Sequence, residues 1–186
     1  PGFDVLGYVG MALYPIVGLN LFFHTYAVVP GAMDNLAGIA VVDGTGRALS
    51  DAQRAGAPLL QHTEVVLLAT SSEEAGLRGA KRYVQAHADE LRCIPSYGIF
   101  VDGVYDEQFL TVIYRELFVG AWHDQRLVAL AQSVAAQRGW NMRHAMVPFG
   151  ATDAAAFSTA GFPSVGLLCQ DTTRLVPNYH TRLDTI

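Results

Sequence analysis

Cysteine is scarce. Cys93 and Cys169 stand far apart and form no CxxC pair, which rules out a disulfide-dense scaffold. They read as two buried free thiols, with one disulfide as the alternative. Positive charge is also short. Twelve Lys and Arg face 17 Asp and Glu, for a net charge of -5 and a pI near 5.6, so a basic face for nucleic acid is excluded. Charged residues are 16% of the chain and hydrophobic ones 51%, which excludes a disordered chain. There is no run of like charges, so no charged tail, and no internal repeat or low-complexity tract. No initiator Met and no basic region precede the first apolar stretch, so residues 1–23 do not read as a signal peptide. The chain reads as a piece of a longer protein.

What is present first is apolar. The run from Val5 to Phe23 carries no charge and just reaches the roughly 18–20 residues that cross a bilayer. Pro15, Asn20 and three glycines weaken it as a soluble helix, although membrane helices tolerate such residues. A membrane insertion and a buried hairpin or core helix both fit it. The chain divides into this apolar segment, residues 1–29, and a domain from 30 to 186 long enough for one core.

Pro30-Gly31 marks a turn. Asp34 or Asn35 can cap a helix through LAGIAVV, which Gly44 and Gly46 should shorten. Glu64–Ser71 is a β-rich apolar run and reads as a strand buried on both faces. Helix is expected from Leu77 to Leu91, and short strands at Ile99–Val101 and Leu110–Arg115. An amphipathic helix is expected over Asp124–Gln137, with Leu127, Leu130, Ala131 and Val134 on one face. A strand at Ala145–Val147, a short helix at Asp153–Thr159 and a buried strand at Ser164–Cys169 complete the order. Alternating strands and helices predict an α/β domain, with a mixed, largely parallel sheet flanked by helices. In such sheets, sites form beyond the carboxyl ends of the strands.

The chemistry-bearing residues follow that placement. Asp34 opens a helix, Glu73 and Glu74 follow one strand, Asp102 ends another, and His180 lies in a loop followed by Asp184. Singly, each has a plain explanation as a cap, a turn residue or a solvated side chain. Together, several carboxylates at one sheet edge would repel one another and resist ionisation, and a divalent cation relieves that. Carboxylates with an imidazole suit zinc. Adjacent glutamates allow one to hold the ion while the other serves as a base.

Four motifs stand in one order. Gly31-Ala32-Met33-Asp34-Asn35-Leu36-Ala37-Gly38 resembles the segment with the bridging aspartate of the co-catalytic zinc aminopeptidases, metallopeptidase family 28. Ser72-Glu73-Glu74-Ala75-Gly76-Leu77-Arg78-Gly79-Ala80 is similar to that family's Glu-Glu-x-Gly-Leu-x-Gly motif. Thr152-Asp153, with Phe157, Gly161, Phe162 and Pro163, resembles its Ser-Asp-His…Phe…Gly-Ile-Pro stretch, with Ala154 in place of the histidine. Tyr179-His180-Thr181-Arg182-Leu183-Asp184-Thr185 resembles the closing Tyr-His-Thr-x-x-Asp-Thr.

The resemblance implies a zinc-exopeptidase fold, incomplete at its N-terminus, and hydrolysis of the N-terminal peptide bond of a peptide. It implies two zinc ions bridged by Asp34, with Glu74 and His180 completing one site and Asp102 in the other. It makes Glu73 the base that deprotonates the bridging water, and lets Asp184 orient His180. The family's remaining ligand is a histidine upstream. His24 stands in that direction, although His24-Thr25-Tyr26 lacks the aspartate the family pairs with it. In a membrane-associated bacterial member carrying a hydrophobic insertion, the histidine would lie before residue 1. A related zinc carboxypeptidase or deacylase, and a domain that has lost its metal and only binds, stay open.

His62 and His87 read as solvated, His123 as a helix-start residue and His144 as lying near a strand start. Trp122 and Trp140 read as packing anchors, and Phe149 and Tyr179 as residues beside a pocket.

Overall fold

The computed structural model describes residues 2–19, 28–171 and 178–185. Its elements are α1 (Gly2–Leu19), α2 (Ala37–Arg54), α3 (Arg78–Cys93), β1 (Gly98–Asp102), β2 (Leu110–Glu116), β3 (Ala121–Trp122), α4 (Gln125–Gln137), β4 (Arg143–Val147), α5 (Asp153–Thr159) and β5 (Ser164–Cys169).

β5 lies between β1 and β2. It pairs parallel with β1, Gly98 opposite Ser164 through Asp102 opposite Leu168. It pairs antiparallel with the first half of β2. β4 runs parallel to β2, and β3 pairs antiparallel with its last two residues. The parallel ladders are the longer ones, so the sheet is mixed and largely parallel, as expected.

Helices cover both faces, because strand side chains alternate in direction. On one face Ala80 and Val84 of α3 and Ala155, Ala156 and Phe157 of α5 form a buried cluster with Leu77, Ala121 and Phe162, and Phe100 of β1 packs against it. On the other, Leu127 and Val128 of α4 pack on Val112 and Val165. Burying a side chain such as Phe157 contributes about 1.5–3 kcal/mol.

α4 begins where the Asp124 carboxylate accepts from Arg126 N–H at 2.8 Å and Leu127 N–H at 3.3 Å, a side-chain cap for otherwise unpaired donors. Its buried stripe is Leu127, Val128 and Ala135, while Leu130 and Val134 are exposed. The stripe is therefore rotated from the expected one, toward the side that meets β2 and β5.

Three further expectations are corrected. Gly44 and Gly46 do not shorten α2, which runs to Arg54. A side chain at Gly46 would place Cβ 2.3 Å from Leu67 Cδ1, so that glycine admits the neighbouring segment. The run Glu64–Ser71 is not a strand: among the described residues it joins no ladder, and Val65, Val66 and Leu67 are exposed. Its hydrophobic pattern suits a sheet, but no strand among the described residues takes up its backbone groups. Cys169 is buried and free as expected, whereas Cys93, at the end of α3, is free but exposed.

Among the described residues no helix is long and apolar enough to cross a membrane. Residues 20–23 of the apolar run, and His24, lie outside the described residues.

Candidate metal centre

The site gathers at the carboxyl end of β1. Asp34 sits in the tight turn Ala32–Leu36 before α2, where Asp34 (φ -120°, ψ 86°) and Asn35 (φ -142°, ψ 44°) leave helical geometry. Asn35 and Asp184 hold that turn. Asn35 Nδ2–H donates to the Val101 carbonyl at 2.9 Å, and Asn35 Oδ1 accepts from Gly38 N–H at 3.0 Å and Gly103 N–H at 3.3 Å. The turn is thus fastened to both sides of Asp102. Gly38 is required there, since a Cβ would fall 2.3 Å from Asn35 Oδ1 and 2.6 Å from the Val101 oxygen.

Asp184 makes the remaining contacts. Its two carboxylate oxygens accept from Met33 N–H at 2.8 Å and Asp34 N–H at 3.1 Å. Asp184 therefore holds the turn that carries Asp34. Its short carboxylate spends both oxygens on these backbone donors, which a buried carboxylate requires.

Glu73 and Glu74 lie in the turn that leads into α3. Gly76 N–H and Leu77 N–H both donate to the Glu73 carbonyl, at 2.9 and 2.7 Å. Ser72 (φ 57°), just before them, and His180 (φ 54°) are left-handed, a conformation costing about 1 kcal/mol for a residue with a side chain. Such strain is concentrated at functional sites.

His180 Nε2 lies 2.7 Å from Glu74 Oε1 and 3.2 Å from Asp34 Oδ2. Ligand atoms of Asp34, Glu74 and His180 all fall within 4.8 Å of one another, a group among the described residues that could hold a metal ion. The Tyr179 ring stacks on His180, centroids 3.8 Å apart.

The electrostatics agree with a site built for a cation. Burial and the Glu74 charge raise the Asp34 carboxyl, while His180 lowers it. Glu73 is pushed up to about 8 by burial and then by Glu74, Asp102, Asp153 and Asp34. Asp102 is pushed up to about 6 by burial, then by Asp34, Asp153 and Glu74. The Tyr179 hydroxyl is raised by burial and by the same carboxylates. A divalent cation would relieve this repulsion, and three converging O and N donors suit zinc.

The model of peptidase family M28 matches residues 20–186. The chain belongs to peptidase family M28. No curated protein sequence matches the chain significantly. Among solved structures, a zinc aminopeptidase from Bacillus subtilis aligns with a TM-score of 0.69 at 23% identity, over 87% of this chain and 38% of that one. LapB from Legionella pneumophila aligns with a TM-score of 0.68 at 18% identity, over 87% and 42%. An aminopeptidase from Aneurinibacillus sp. strain AM-1 gives 0.64 at 23% identity, over 84% and 34%. These likenesses carry the fold, and this M28 chain spans about two fifths of their length.

The M28 motifs thus meet in space. Asp34, Glu74 and His180 converge directly, and the charges of Asp34 and Glu74 reach Glu73 and Asp102. Asn35 was legible only as one of two candidate caps, because its partners Val101 and Gly103 are distant in sequence. Thr70 carried no signal, yet its hydroxyl donates to Asp153 Oδ2. The remaining histidines stand apart from the centre. His62 is exposed. His87 pairs with Glu90 at 2.9 Å and stacks on Tyr83. His144 lies in β4 against Tyr114. His123 is buried, Nε2 3.0 Å from Glu116 Oε1. Trp122, Trp140 and Phe149 are exposed, so the two tryptophans are not the packing anchors their size suggested.

Proposed function

We propose that the protein is a zinc-dependent aminopeptidase, with Asp34, Glu74 and His180 holding one ion and Glu73 as the base. The observation that carries this reading is the convergence of those three ligand atoms within 4.8 Å, with Glu73 next in sequence to one of them. Bound there, zinc would supply Lewis acidity and lower the pKa of a water toward neutrality. Asp102 extends the carboxylate cluster beside Asp34 and is the ligand we assign to a second ion. His24, or a histidine of a longer chain, would complete that second site.

Glu73 takes the proton from the attacking water as its oxygen bonds the carbonyl carbon of the scissile peptide. The C–N bond then breaks, and Glu73 returns the proton to the leaving amine. The cluster of carboxylates favours a substrate end that is positively charged, which supports a free N-terminal amine over a C-terminal carboxylate. Localisation at a membrane is the second part of the proposal: apolar side chains along α1, among them Leu6, Met11 and Ile16, are exposed.

The test combines metal content with turnover. Zinc per chain is measured by elemental mass spectrometry after dialysis against zinc. Hydrolysis of aminoacyl p-nitroanilides is compared with N-acetylated and C-terminally free peptides. We expect bound zinc, preference for the free amine, and a roughly 10³-fold loss of kcat in Glu73→Ala with zinc content unchanged. Cleavage confined to C-terminal residues would favour the carboxypeptidase reading, and full activity in Glu73→Ala would overturn the mechanism.

A further inference from the structure

A chain of buried polar groups lies behind the metal centre, outside the roles given so far. Glu116, at the end of β2, is fully buried. Its carboxylate accepts from Thr152 N–H at 2.8 Å and Thr152 Oγ1–H at 2.6 Å, and lies 3.0 Å from His123 Nε2. His123 Nδ1 is 2.8 Å from Ser158 Oγ, which lies 2.7 Å from Ser164 Oγ. Ser164 Oγ–H donates to the Ala154 carbonyl at 2.8 Å. The first residues of α5 are therefore fixed from two directions, by Glu116 at Thr152 and by Ser164 at Ala154. Between them stands Asp153.

Asp153 is 8% exposed. One of its oxygens accepts from the Thr70 hydroxyl, and the other is buried with no hydrogen-bond partner among the described residues. A buried carboxylate satisfied on one side alone costs stability, so its retention calls for an explanation. Thr70 supplies one. It lies near the end of the 64–71 segment, which joins no ladder among the described residues, three positions before Glu73. On its other side that segment is tied to α3, by Gly79 N–H donating to the Ser71 carbonyl at 3.0 Å and Arg78 N–H to the Ser72 carbonyl at 3.1 Å. Among the described residues, where the segment has no strand pairing, the Thr70–Asp153 bond ties it to α5. The charge of Asp153 also reaches Glu73 and Asp102.

We infer that Asp153, set in place by the buried Glu116 clamp on Thr152, is a positioning residue that fixes the Glu73-Glu74 turn through the Thr70 hydroxyl. This rests on the reading of Glu73 as the base, and catalysis is sensitive to displacements of about 1 Å in such a group. Asp153 touches neither substrate nor the reacting atoms in this role.

The test compares Thr70→Val, Thr70→Ser, Asp153→Ala and the double variant Thr70→Val/Asp153→Ala with the parent chain. Hydrogen exchange followed by mass spectrometry reads the amides of Gly76 and Leu77, which close the Glu73 turn. Steady-state kinetics read kcat and KM on an aminoacyl p-nitroanilide. Thr70→Val and Asp153→Ala should each speed exchange in the 72–79 segment about tenfold. Each should lower kcat roughly 10²-fold with KM shifted far less. The double variant should be no worse than either single one, since both break the same bond, and Thr70→Ser should restore both readouts. Parent-like exchange in both single variants overturns the inference. So does faster exchange with kcat intact, or additive losses in the double variant. A parent chain that hydrolyses no peptide would instead refute the aminopeptidase reading, and the exchange pattern alone would then decide the positioning role.

Discussion

Glu73 and Asp102 are the residues whose charge states depend most on what fills the site. Burial and neighbouring carboxylates push Glu73 from 4.5 up to about 8 and Asp102 from 3.8 up to about 6. A carboxyl raised in the folded state binds a proton there that the unfolded chain gives up. The stability it contributes is complete below its unfolded value and is lost as pH rises through its folded one. The metal-free protein should therefore lose stability from about pH 4 through pH 6 as Asp102 ionises, and onward to about pH 8 as Glu73 does. Thermal melts in chelator across that range should show a falling Tm, and Glu73→Gln should flatten the upper part of the slope. Zinc acts in the opposite sense, because it favours the ionised carboxylates. Its binding should release protons at pH 6–7, seen as a buffer-dependent heat by calorimetry, and its affinity should rise with pH. A pH-independent Tm together with no proton release would show that these carboxylates do not share one site. Asp34, Glu73, Glu74 and His180 were legible as residues because each sits in a short motif. Thr70 was not, because its importance depends on Asp153, which only the fold brings near.

Among the elements, the turn before α2 is held more firmly than its length suggests. Asn35 binds the backbone on both sides of Asp102, through Val101 and Gly103, and Gly38 leaves no room for a Cβ beside it. Asn35→Ala and Gly38→Ala should each weaken zinc binding about 10–100-fold, the usual effect of losing a group that orients a ligand. Far-ultraviolet circular dichroism should stay unchanged, because α2 extends well beyond the turn. Zinc affinity within twofold of the parent in both variants would sink the argument that this clamp sets Asp34. The same elements show what the sequence could convey. α5 and β5 fell where their patterns predicted, and α3 and β1 came within two residues at each end, because hydrophobic period and turn residues are local. Glu64–Ser71 carried an equally clear strand pattern but joins no ladder among the described residues, since pairing depends on a second strand that local sequence does not specify. β3 has two residues, too few for any period. The hold of Asp184 on the Asp34 turn was not legible, because that contact runs across nearly the whole chain.

At the scale of the whole molecule, the apolar surface is distributed unevenly. Both faces of the sheet are covered by helices, yet Val5, Leu6, Tyr8, Met11, Tyr14 and Ile16 of α1 remain exposed, as do Val65, Val66 and Leu67. Apolar side chains exposed together along one helix suit contact with a partner or a membrane. α1 has no described acidic or basic side chain from Val5 to Ile16, so nothing along that stretch opposes entry into the acyl boundary. If α1 meets a membrane, the chain should float with vesicles of phosphatidylcholine and phosphatidylglycerol in a density gradient, and high salt should not release it, because the attraction is apolar rather than ionic. Leu6→Asp, Met11→Asp and Ile16→Asp combined should return it to the aqueous fraction, while zinc content and turnover remain at the parent level because α1 carries none of the ligands. Flotation that survives the triple substitution would move the contact to the Val65–Leu67 surface. A parent chain that stays in the aqueous fraction at every lipid composition would end the membrane reading, leaving another stretch of protein as the cover for α1.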